Sequence, residues 1–398
     1  MTQKQENERI QEILTRGVVN ILPDKQKLAK ALASPKKLNV YLGIDPTATK
    51  IHLGHAVNLR KLQALVELGH HITFLIGDFT ARVGDNSDKE TERPLLTEEE
   101  IKENFRTYRK QAEKILDFSK VSLRHNSEWL EKLSFGEVLK LSQNFTLNDY
   151  IGREIMKRKL EKGVSVRLDE LLYPLMQGYD SFCLDTDLQL GAADQTFNMQ
   201  AGRTLLKRLK NKESFVLVND YLIGTDGRKM SKSWGNAIWL EDNPVTMFGK
   251  VMSLKDELIE QYFLLGTKVA LDKVKEVRTR LQSGENPMLL KSELAFAIVS
   301  EVWGEKSAQA SQEEFTRVFQ QDSLPTDIPE VEVKQSELAL VDLLMELKLA
   351  ESKAEVRSLV ADGAVKIDGK TKSDSKEEII IQSGLVVQVG KRRIAKVK

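Results

Sequence analysis

The sequence predicts an α/β protein whose core is a doubly wound parallel sheet. Two apolar runs, residues 38–44 and 72–76, have the length of buried strands. Residues 55–68 lie between them and show the spacing of a helix, and further apolar runs follow near residues 188–190 and 215–218. Strands that alternate with helices in this way are typical of parallel sheets, in which each crossover connection is a helix.

The remaining elements lie on either side of these strands in the sequence. Residues 10–33 carry apolar side chains at helical intervals and are predicted to be helical before the first strand. Residues from about 98 to 180 are mostly helical in pattern, which makes them an insertion into the sheet. We therefore predict a sheet domain over residues 1–240 and a helical domain over residues 241–322.

An acidic segment with two prolines precedes the last part of the chain. Residues 323–335 contain Pro325 and Pro329 and show neither helical nor strand periodicity, so a linker is predicted. Residues 336–398 combine two helical patterns with three short strand patterns and predict a small α+β domain. From Lys353 onward, eleven Lys or Arg residues stand against six Asp or Glu residues, a surplus that suits contact with phosphates.

Composition excludes several classes of protein. The net charge of +1 rules out a uniformly basic nucleic-acid binder but allows a local basic surface. Cys183 is the single cysteine, which excludes an internal disulfide and a cysteine-rich zinc site. The polar N-terminus and the lack of an apolar run of about 18 residues lead us to expect a cytoplasmic protein without a membrane segment.

A histidine and glycine motif lies at the predicted start of the helix that follows the first strand. His52-Leu53-Gly54-His55 falls where free backbone N–H groups and the helix dipole attract phosphate. Two imidazoles there can donate hydrogen bonds to a phosphoryl group, and Gly54 lets a flat base approach the backbone. Taken alone, the motif is equally compatible with histidines that cap the helix or lie on the surface.

A second polar motif lies in a glycine-rich loop after a later strand. Residues 229–233, Lys-Met-Ser-Lys-Ser, offer two ammonium groups three residues apart together with hydroxyl donors. Such a loop can clamp a triphosphate, whereas a solvated basic turn is the alternative. The two motifs together, each after a strand, favour a nucleotide site.

A polar stripe interrupts an apolar helical segment of the insertion. Tyr173, Gln177 and Asp180 fall on one helical face. Pro174 and Gly178, beside them, are poor helix formers, and local conflicts of this kind tend to mark functional sites. We therefore favour a binding role for this face over simple exposure to solvent.

With these motifs the chain resembles the class I aminoacyl-tRNA synthetases and, among them, the bacterial tyrosyl-tRNA synthetases, over almost its whole length. The resemblance implies a Rossmann-like catalytic domain with a helical insertion and a helical domain of the anticodon-binding type. Residues 349–357 and 363–369 resemble the S4 RNA-binding domain. The implied reaction joins L-tyrosine to the 3′ end of tRNA(Tyr) at the expense of ATP.

The resemblance also implies roles for individual residues. Those matched to tyrosine binding are Tyr41, Asp85, Tyr173, Gln177, Asp180 and Gln195. Those matched to ATP binding are Gly43, Asp45, His52, Gly54, His55, Asp194, Lys229, Met230, Ser231, Lys232 and Ser233. Those matched to catalysis are Thr47, His52, His55, Lys89, Arg93, Lys229 and Lys232, and those matched to RNA binding are Lys353, Arg357 and Lys366.

Some of these positions have simpler interpretations, and some neighbours depart from the family. Asp85 is also suited to capping a turn, and Lys89 with Arg93 to an exposed surface. Ala192 and Ala193 stand where the family often has glycine and serine, which puts a close backbone contact with the ribose in doubt.

Partners and alternatives follow from the same resemblance. Mg²⁺ is expected to accompany ATP through its phosphates, with no tightly bound cofactor and no metal held by the protein alone. A homodimer is implied, with helices between residues 118 and 172 as its interface. The alternatives are a tryptophanyl-tRNA synthetase, disfavoured by Tyr41 and Asp180, and more remotely a nucleotidylyltransferase or a non-catalytic RNA-binding protein.

Overall fold

The computed structural model describes most of the chain as two compact units. The units are residues 1–309 and 310–398. The described residues are 2–47, 49–85, 96–152, 154–230, 234–319, 328–390 and 393–398.

A six-stranded sheet forms the core of the first unit. Its strands are β1 (Val18–Leu22), β2 (Asn39–Ile44), β3 (His71–Ile76), β4 (Val121–His125), β5 (Leu188–Ala192) and β6 (Phe215–Asn219). They are ordered β1-β6-β5-β2-β3-β4, and every pair is parallel except β1 with β6. The predicted doubly wound parallel sheet is confirmed. Its strand order reverses between β2 and β5, the point at which such sheets form a ligand crevice outside the carboxyl ends of the strands.

Helices connect these strands and cover the sheet. They are α1 (Gln3–Thr15), α2 (Lys25–Leu32), α3 (Leu53–Glu67), α4 (Glu98–Ala112), α5 (Ser127–Leu130), α6 (Phe135–Ser142), α7 (Leu147–Ile151), α8 (Glu154–Glu161), α9 (Leu168–Cys183), α10 (Thr196–Lys210), α11 (Pro244–Met252), α12 (Ile259–Gly266), α13 (Leu271–Gln282) and α14 (Pro287–Trp303). A further helix, α15 (Glu305–Phe319), contains the boundary between the units. Within the described ranges, no helix is both long and apolar enough to cross a bilayer.

Helix α3 is buried on more than one side. Leu53, Leu59 and Leu62 are almost fully buried, and α3 contacts β3 and β5 as well as α1 and α12. The backbone N–H of Leu53, the first residue of the helix, donates to the carbonyl oxygen of Ile238 at 2.9 Å, which holds the N-terminus of α3 in place.

The helical prediction for residues 10–33 is wrong for its middle part. The chain forms α1, β1 and α2 instead. Gly17 follows α1 with φ +59, a left-handed conformation that ends the helix, and Pro23 ends β1 because it has no amide hydrogen to donate. Strand β4 was not predicted either, since it is an edge strand whose Ser122 and Arg124 are exposed, which leaves no continuous apolar run.

The second unit is a small α+β structure. Helices α16 (Leu340–Glu346) and α17 (Lys353–Ala361) pack on β7 (Glu330–Val331), β8 (Glu337–Ala339), β9 (Val365–Ile367), β10 (Lys370–Thr371), β11 (Glu378–Ile380), β12 (Val386–Val389) and β13 (Arg393–Val397). The strands form a five-stranded sheet, β10-β9-β12-β13-β7, and a separate β11-β8 pair. Strand β13 was not predicted because basic residues surround its buried Ile394, Ala395 and Val397.

A buried ion pair joins α8 to α9 within the insertion. Lys159 Nζ lies 2.9 Å from Glu170 Oε2, and each side chain is only 1% exposed. Removing these two charges from water costs several kcal/mol per ion, roughly, and their mutual attraction offsets that cost only while both are present.

Replacing Lys159 by Met should therefore destabilise the insertion strongly. We expect Lys159→Met to lower the free energy of unfolding by roughly 3–5 kcal/mol, because Glu170 is left buried without its cation. Urea denaturation followed by circular dichroism measures this loss. Lys157→Met, an exposed lysine on the same helix, is the matched control, and Lys159→Met combined with Glu170→Leu should recover most of the stability. Equal behaviour of the two single variants would contradict the role of the pair.

Candidate active site

A cleft of about 1060 Å³ opens in the first unit at the carboxyl ends of β2 and β5. It brings together all the described residues of this unit that were matched to tyrosine, ATP or catalysis. They are Tyr41, Gly43, Asp45, Thr47, His52, Gly54, His55, Asp85, Tyr173, Gln177, Asp180, Asp194, Gln195, Lys229 and Met230. Lys89, Arg93, Ser231, Lys232 and Ser233 lie outside the described residues, and Lys353, Arg357 and Lys366 belong to the second unit.

Asp180 is a buried carboxylate in this cleft. It lies on α9 and is 3% exposed. Trp129 Nε1 donates to Asp180 Oδ1 at 2.8 Å, and Asn126 Nδ2 donates to Oδ2 at 3.3 Å. Burial raises the pKa of Asp180 to about 7, although these two hydrogen bonds oppose the rise. The carboxyl group can therefore change its charge near neutral pH.

Tyr41 lies in β2, is 1% exposed, and forms a hydrogen bond inside the protein. Its hydroxyl lies 2.8 Å from Ser181 Oγ, and Ser181 Oγ donates to Gln189 Oε1 at 3.2 Å. Burial, followed by the charge of Asp180, raises the pKa of Tyr41 well above its usual value. Tyr41 is therefore a neutral hydroxyl, with one hydrogen-bond partner supplied by the protein and room for a second.

A hydrogen-bond network connects Asp180 to the opposite side of the cleft. Asn126 Nδ2 also donates to Thr80 Oγ1 at 3.0 Å, and Thr80 Oγ1 donates to Asp45 Oδ1 at 2.8 Å. Tyr173 donates its hydroxyl proton to Asp45 Oδ2 at 2.9 Å. Gly77 makes room for this arrangement, because a Cβ atom at that position would lie 1.9 Å from Asp45 Oδ1.

Two residues matched to tyrosine binding, Asp85 and Gln195, contact each other directly. Gln195 Nε2 donates a short hydrogen bond to Asp85 Oδ2, and Asn198 Nδ2 holds Gln195 Oε1 at 3.1 Å. Asn198 is buried at the start of α10, so the amide of Gln195 is oriented from behind. The pair places an anion and an amide side by side in the cleft.

The two histidines at the start of α3 are uncharged at neutral pH. Burial lowers the pKa of His55 to about 4 and, with His55 and Lys229 nearby, lowers the pKa of His52 well below its usual value. The backbone N–H of His52 donates to His55 Nδ1 at 3.3 Å, which leaves the proton of neutral His55 on Nε2. A Cβ atom at Gly54 would lie 2.9 Å from His52 Nδ1, so this glycine lets the rings approach to 3.9 Å between centres.

The lysine loop meets the opposite wall of the cleft. Lys229 Nζ lies 3.3 Å from Asp194 Oδ2, and the neighbouring Met230 is buried. Two half-exposed aromatic residues, Tyr221 and Trp234, flank this part of the loop and also line the cleft.

Sequence reasoning missed the residues that hold the predicted site residues in place. Asn126 and Trp129 orient Asp180, Thr80 joins the network to Asp45, and Ser181 holds Tyr41. Asn126 directly follows β4, so the rule that ligands meet the carboxyl ends of parallel strands would have found it if β4 had been predicted.

Comparison with known proteins gives the same family by several routes. Residues 33–320 match the family described as tRNA synthetases class I (W and Y), and residues 320–393 match the tyrosine–tRNA ligase SYY-like C-terminal domain. The chain is 40% identical to the tyrosine–tRNA ligase of Thermotoga maritima, over 97% of this chain and 96% of the relative. It is 42% identical to the tyrosine–tRNA ligase of Moorella thermoacetica, over 99% of this chain and 96% of the relative.

Solved structures agree with these relatives. Tyrosyl-tRNA synthetase from Archaeoglobus fulgidus, complexed with L-tyrosine, superimposes with a TM-score of 0.60 at 26% identity, covering 77% of this chain and 98% of that chain. Tryptophanyl-tRNA synthetase from Plasmodium falciparum gives a TM-score of 0.58 at 16% identity, covering 78% and 89% of the two chains, and shows a shared fold alone.

These comparisons decide among the alternatives raised by the sequence. Neither a nucleotidylyltransferase nor a non-catalytic RNA-binding protein would match ligases at about 40% identity over nearly the whole chain. The chain belongs to the tyrosine–tRNA ligases, within the class I tRNA synthetases.

Proposed function

We propose that this cleft activates L-tyrosine with ATP and then transfers the tyrosine to tRNA(Tyr), in the cytoplasm where translation uses it. The observation that carries the proposal is the buried carboxylate of Asp180 beside the hydroxyl of Tyr41. A phenol hydroxyl can donate to Asp180 and accept from Tyr41, provided that Tyr41 turns its proton from Ser181 to the substrate, whereas phenylalanine can make neither hydrogen bond. The N–H of tryptophan lies on the side of its ring and meets a different point.

The opposite end of the amino acid would meet charged and amide groups. Tyr173, Gln177 and Asp85 would accept hydrogen bonds from the substrate ammonium, and Gln195 would donate to its carboxylate. The hydroxyl of Tyr173 keeps a free lone pair for this purpose, because its proton is given to Asp45.

In the first step the tyrosine carboxylate attacks the α-phosphorus of ATP, and pyrophosphate leaves with the electrons of the broken P–O bond. The nucleophile is already ionised, so the protein must position the reactants and stabilise a pentacoordinate phosphorus. We assign the donors for that charge to Thr47, His52, His55, Lys229 and Lys232, and the pyrophosphate contacts to Lys89 and Arg93. The nucleoside contacts are assigned to Gly43, Asp45, Gly54, Asp194, Met230, Ser231 and Ser233.

Mg²⁺ would enter with ATP. The part of the chain that the structure describes contains no group of three or more His, Cys, Asp or Glu residues able to hold a metal ion. The phosphates are therefore the main ligands we expect for Mg²⁺, which retains water and phosphate oxygens readily.

In the second step a ribose hydroxyl at the 3′ end of tRNA attacks the acyl carbon and AMP leaves. The second unit offers exposed cations for the body of the tRNA. Lys353 and Arg357 lie one turn apart on α17, and Lys366 is exposed on β9. We propose that these residues bind RNA phosphates.

A second copy of the chain is the partner that we propose for the insertion. Large apolar side chains are exposed there in unusual density, including Phe135 (78%), Leu168 (81%) and Leu147 (62%). Phe135 and Leu139 share one face of α6, because they are four residues apart. Exposed large apolar side chains on one helix face are typical of an interface between subunits.

The first test is exchange of radiolabelled pyrophosphate into ATP by the full chain with Mg²⁺ and each amino acid in turn. We expect a far higher kcat/KM with tyrosine than with phenylalanine, because phenylalanine offers the buried Asp180 carboxylate no hydroxyl proton. Exchange with tryptophan instead would overturn the assignment of the phenol pocket.

A variant of the residues assigned to RNA binding tests the second step separately from the first. A variant with Lys353→Ala, Arg357→Ala and Lys366→Ala should exchange pyrophosphate as the wild type does but charge tRNA(Tyr) less efficiently, with a weaker dependence on salt. Unchanged charging would remove these residues from the RNA contact.

The titration of Asp180 predicts a pH dependence of substrate selection. The pKa of Asp180 is raised to about 7. The carboxylate, which accepts a hydrogen bond from the phenol, therefore predominates above pH 7 and becomes protonated as the pH falls through 7. The ratio of kcat/KM for tyrosine to that for phenylalanine should fall about tenfold from pH 8 to pH 6. The titration of ATP affects kcat/KM for both amino acids equally, so it cancels in the ratio. In Asp180→Asn the ratio should be low and independent of pH, and a flat ratio in the wild type would contradict the assignment.

The dimer proposal predicts that charge on the insertion separates the subunits. Light scattering should give the wild type twice the 45.1 kDa mass of one chain. Phe135→Asp combined with Leu168→Asp should shift the mass to that of one chain, because burying two carboxylates in an apolar interface is unfavourable. Leu209→Asp, an exposed leucine on α10 outside the insertion, should leave the mass unchanged. A wild type with the mass of one chain would end the proposal.

A further inference from the structure

Two aromatic residues at the mouth of the cleft have no part in the mechanism described so far. Trp234 is 50% exposed and Tyr221 is 43% exposed, whereas the substrate-facing Tyr41 is 1% exposed. Isolated exposed aromatics are ordinary on protein surfaces. These two differ because both line the same cleft.

Each of the two rings has a cation beside it. The guanidinium carbon of Arg228 lies 4.7 Å above the centre of the Trp234 ring, and Lys229 Nζ lies 5.8 Å from the centre of the Tyr221 ring. Arg228 is itself held by Asp226, which also accepts a hydrogen bond from the buried Asn236 at 2.8 Å. Arg228 therefore supports one face of the Trp234 ring, and half of the tryptophan is exposed to solvent.

Exposed rings next to cations suit one kind of ligand, a single-stranded nucleic acid. Bases stack on aromatic faces, and the phosphates between the bases are attracted to neighbouring Arg and Lys side chains. The protein must bind adenine in ATP and the unpaired 3′ end of tRNA. Met230 and His55, two of the residues assigned to ATP, are buried and half-buried in the cleft, whereas Trp234 and Tyr221 are exposed beside the equally exposed Lys229.

We propose that Trp234 and Tyr221 stack bases of the unpaired 3′ end of tRNA as it enters the cleft for the second step. The inference rests on the proposed function, since it assigns a surface to the second substrate of the same site. The two rings should therefore be needed for the transfer of tyrosine to tRNA but not for the formation of tyrosyl-adenylate.

The test separates the two steps in the full-length protein. Trp234→Leu and Tyr221→Leu should lower kcat/KM for charging of tRNA(Tyr) by roughly 5- to 100-fold each, the usual effect of losing one stacked base. Tyrosine-dependent pyrophosphate exchange and the KM for ATP should stay within about twofold of the wild type. Trp234→Phe should restore most of the charging, because it keeps an aromatic face.

A matched control lies outside the cleft. Trp303 is 38% exposed and has Lys114 Nζ 3.3 Å from its ring centre, so it is likewise a partly exposed tryptophan beside a cation. Trp303→Leu should leave charging unchanged. A tRNA that lacks its whole unpaired 3′ end should bind the wild type more weakly than intact tRNA, and this difference should shrink in the double variant Trp234→Leu, Tyr221→Leu.

Each other outcome counts against the inference in its own way. Unchanged charging in Trp234→Leu would show that the ring does not contact the 3′ end. A raised KM for ATP in the exchange reaction would assign the ring to the adenine of ATP instead. Failure of the wild type to exchange pyrophosphate with tyrosine would refute the proposed function itself and is visible before any variant is made.

Discussion

The carboxylate of Asp180 is the group on which the arrangement of the cleft depends. A buried charge is tolerated only where donors surround it, and here Trp129 and Asn126 supply them from the segment that follows β4. Asp180 itself lies on α9. These hydrogen bonds therefore fasten the helical insertion to the edge of the sheet, and the same burial that requires them raises the pKa of Asp180 to about 7.

The bonds around Asp180 extend across the cleft as a connected chain. Asn126 binds Thr80, Thr80 binds Asp45, and Asp45 accepts the hydroxyl proton of Tyr173. Groups that we assign to the phenol, the nucleotide and the ammonium are thus positioned by one network. Gly77 is part of the same constraint, since any side chain there would displace the Asp45 carboxylate from its place between Thr80 and Tyr173.

Whether a strand could be predicted from the sequence depended on its position in the sheet. Strands β2 and β3 appear as continuous apolar runs. Both edge strands were missed, β4 because it carries polar residues, and β1 because Val18 and Ile21 also fit a helical spacing. Residues such as His52 stand in a recognisable motif and were found. Trp129 was not found, because its role is to orient Asp180, and such a residue belongs to no motif with a recognisable spacing in the sequence.

We assign phosphate binding to two elements of the cleft, and only one of them, the lysine loop, carries a positive charge. Burial keeps His52 and His55 neutral, so the start of α3 offers fixed N–H dipoles but no formal charge. A triphosphate needs positive charge as well, because charged donors bind phosphate more strongly than neutral ones do. Lys229 can provide it, and it already lies 3.3 Å from Asp194. When Lys229 turns to the triphosphate, Asp194 can accept the ribose hydroxyls in exchange. ATP would then replace the ion pair of Lys229 with Asp194 by one of Lys229 with phosphate, and the ribose hydroxyls would give the Asp194 carboxylate hydrogen bonds in place of its cation.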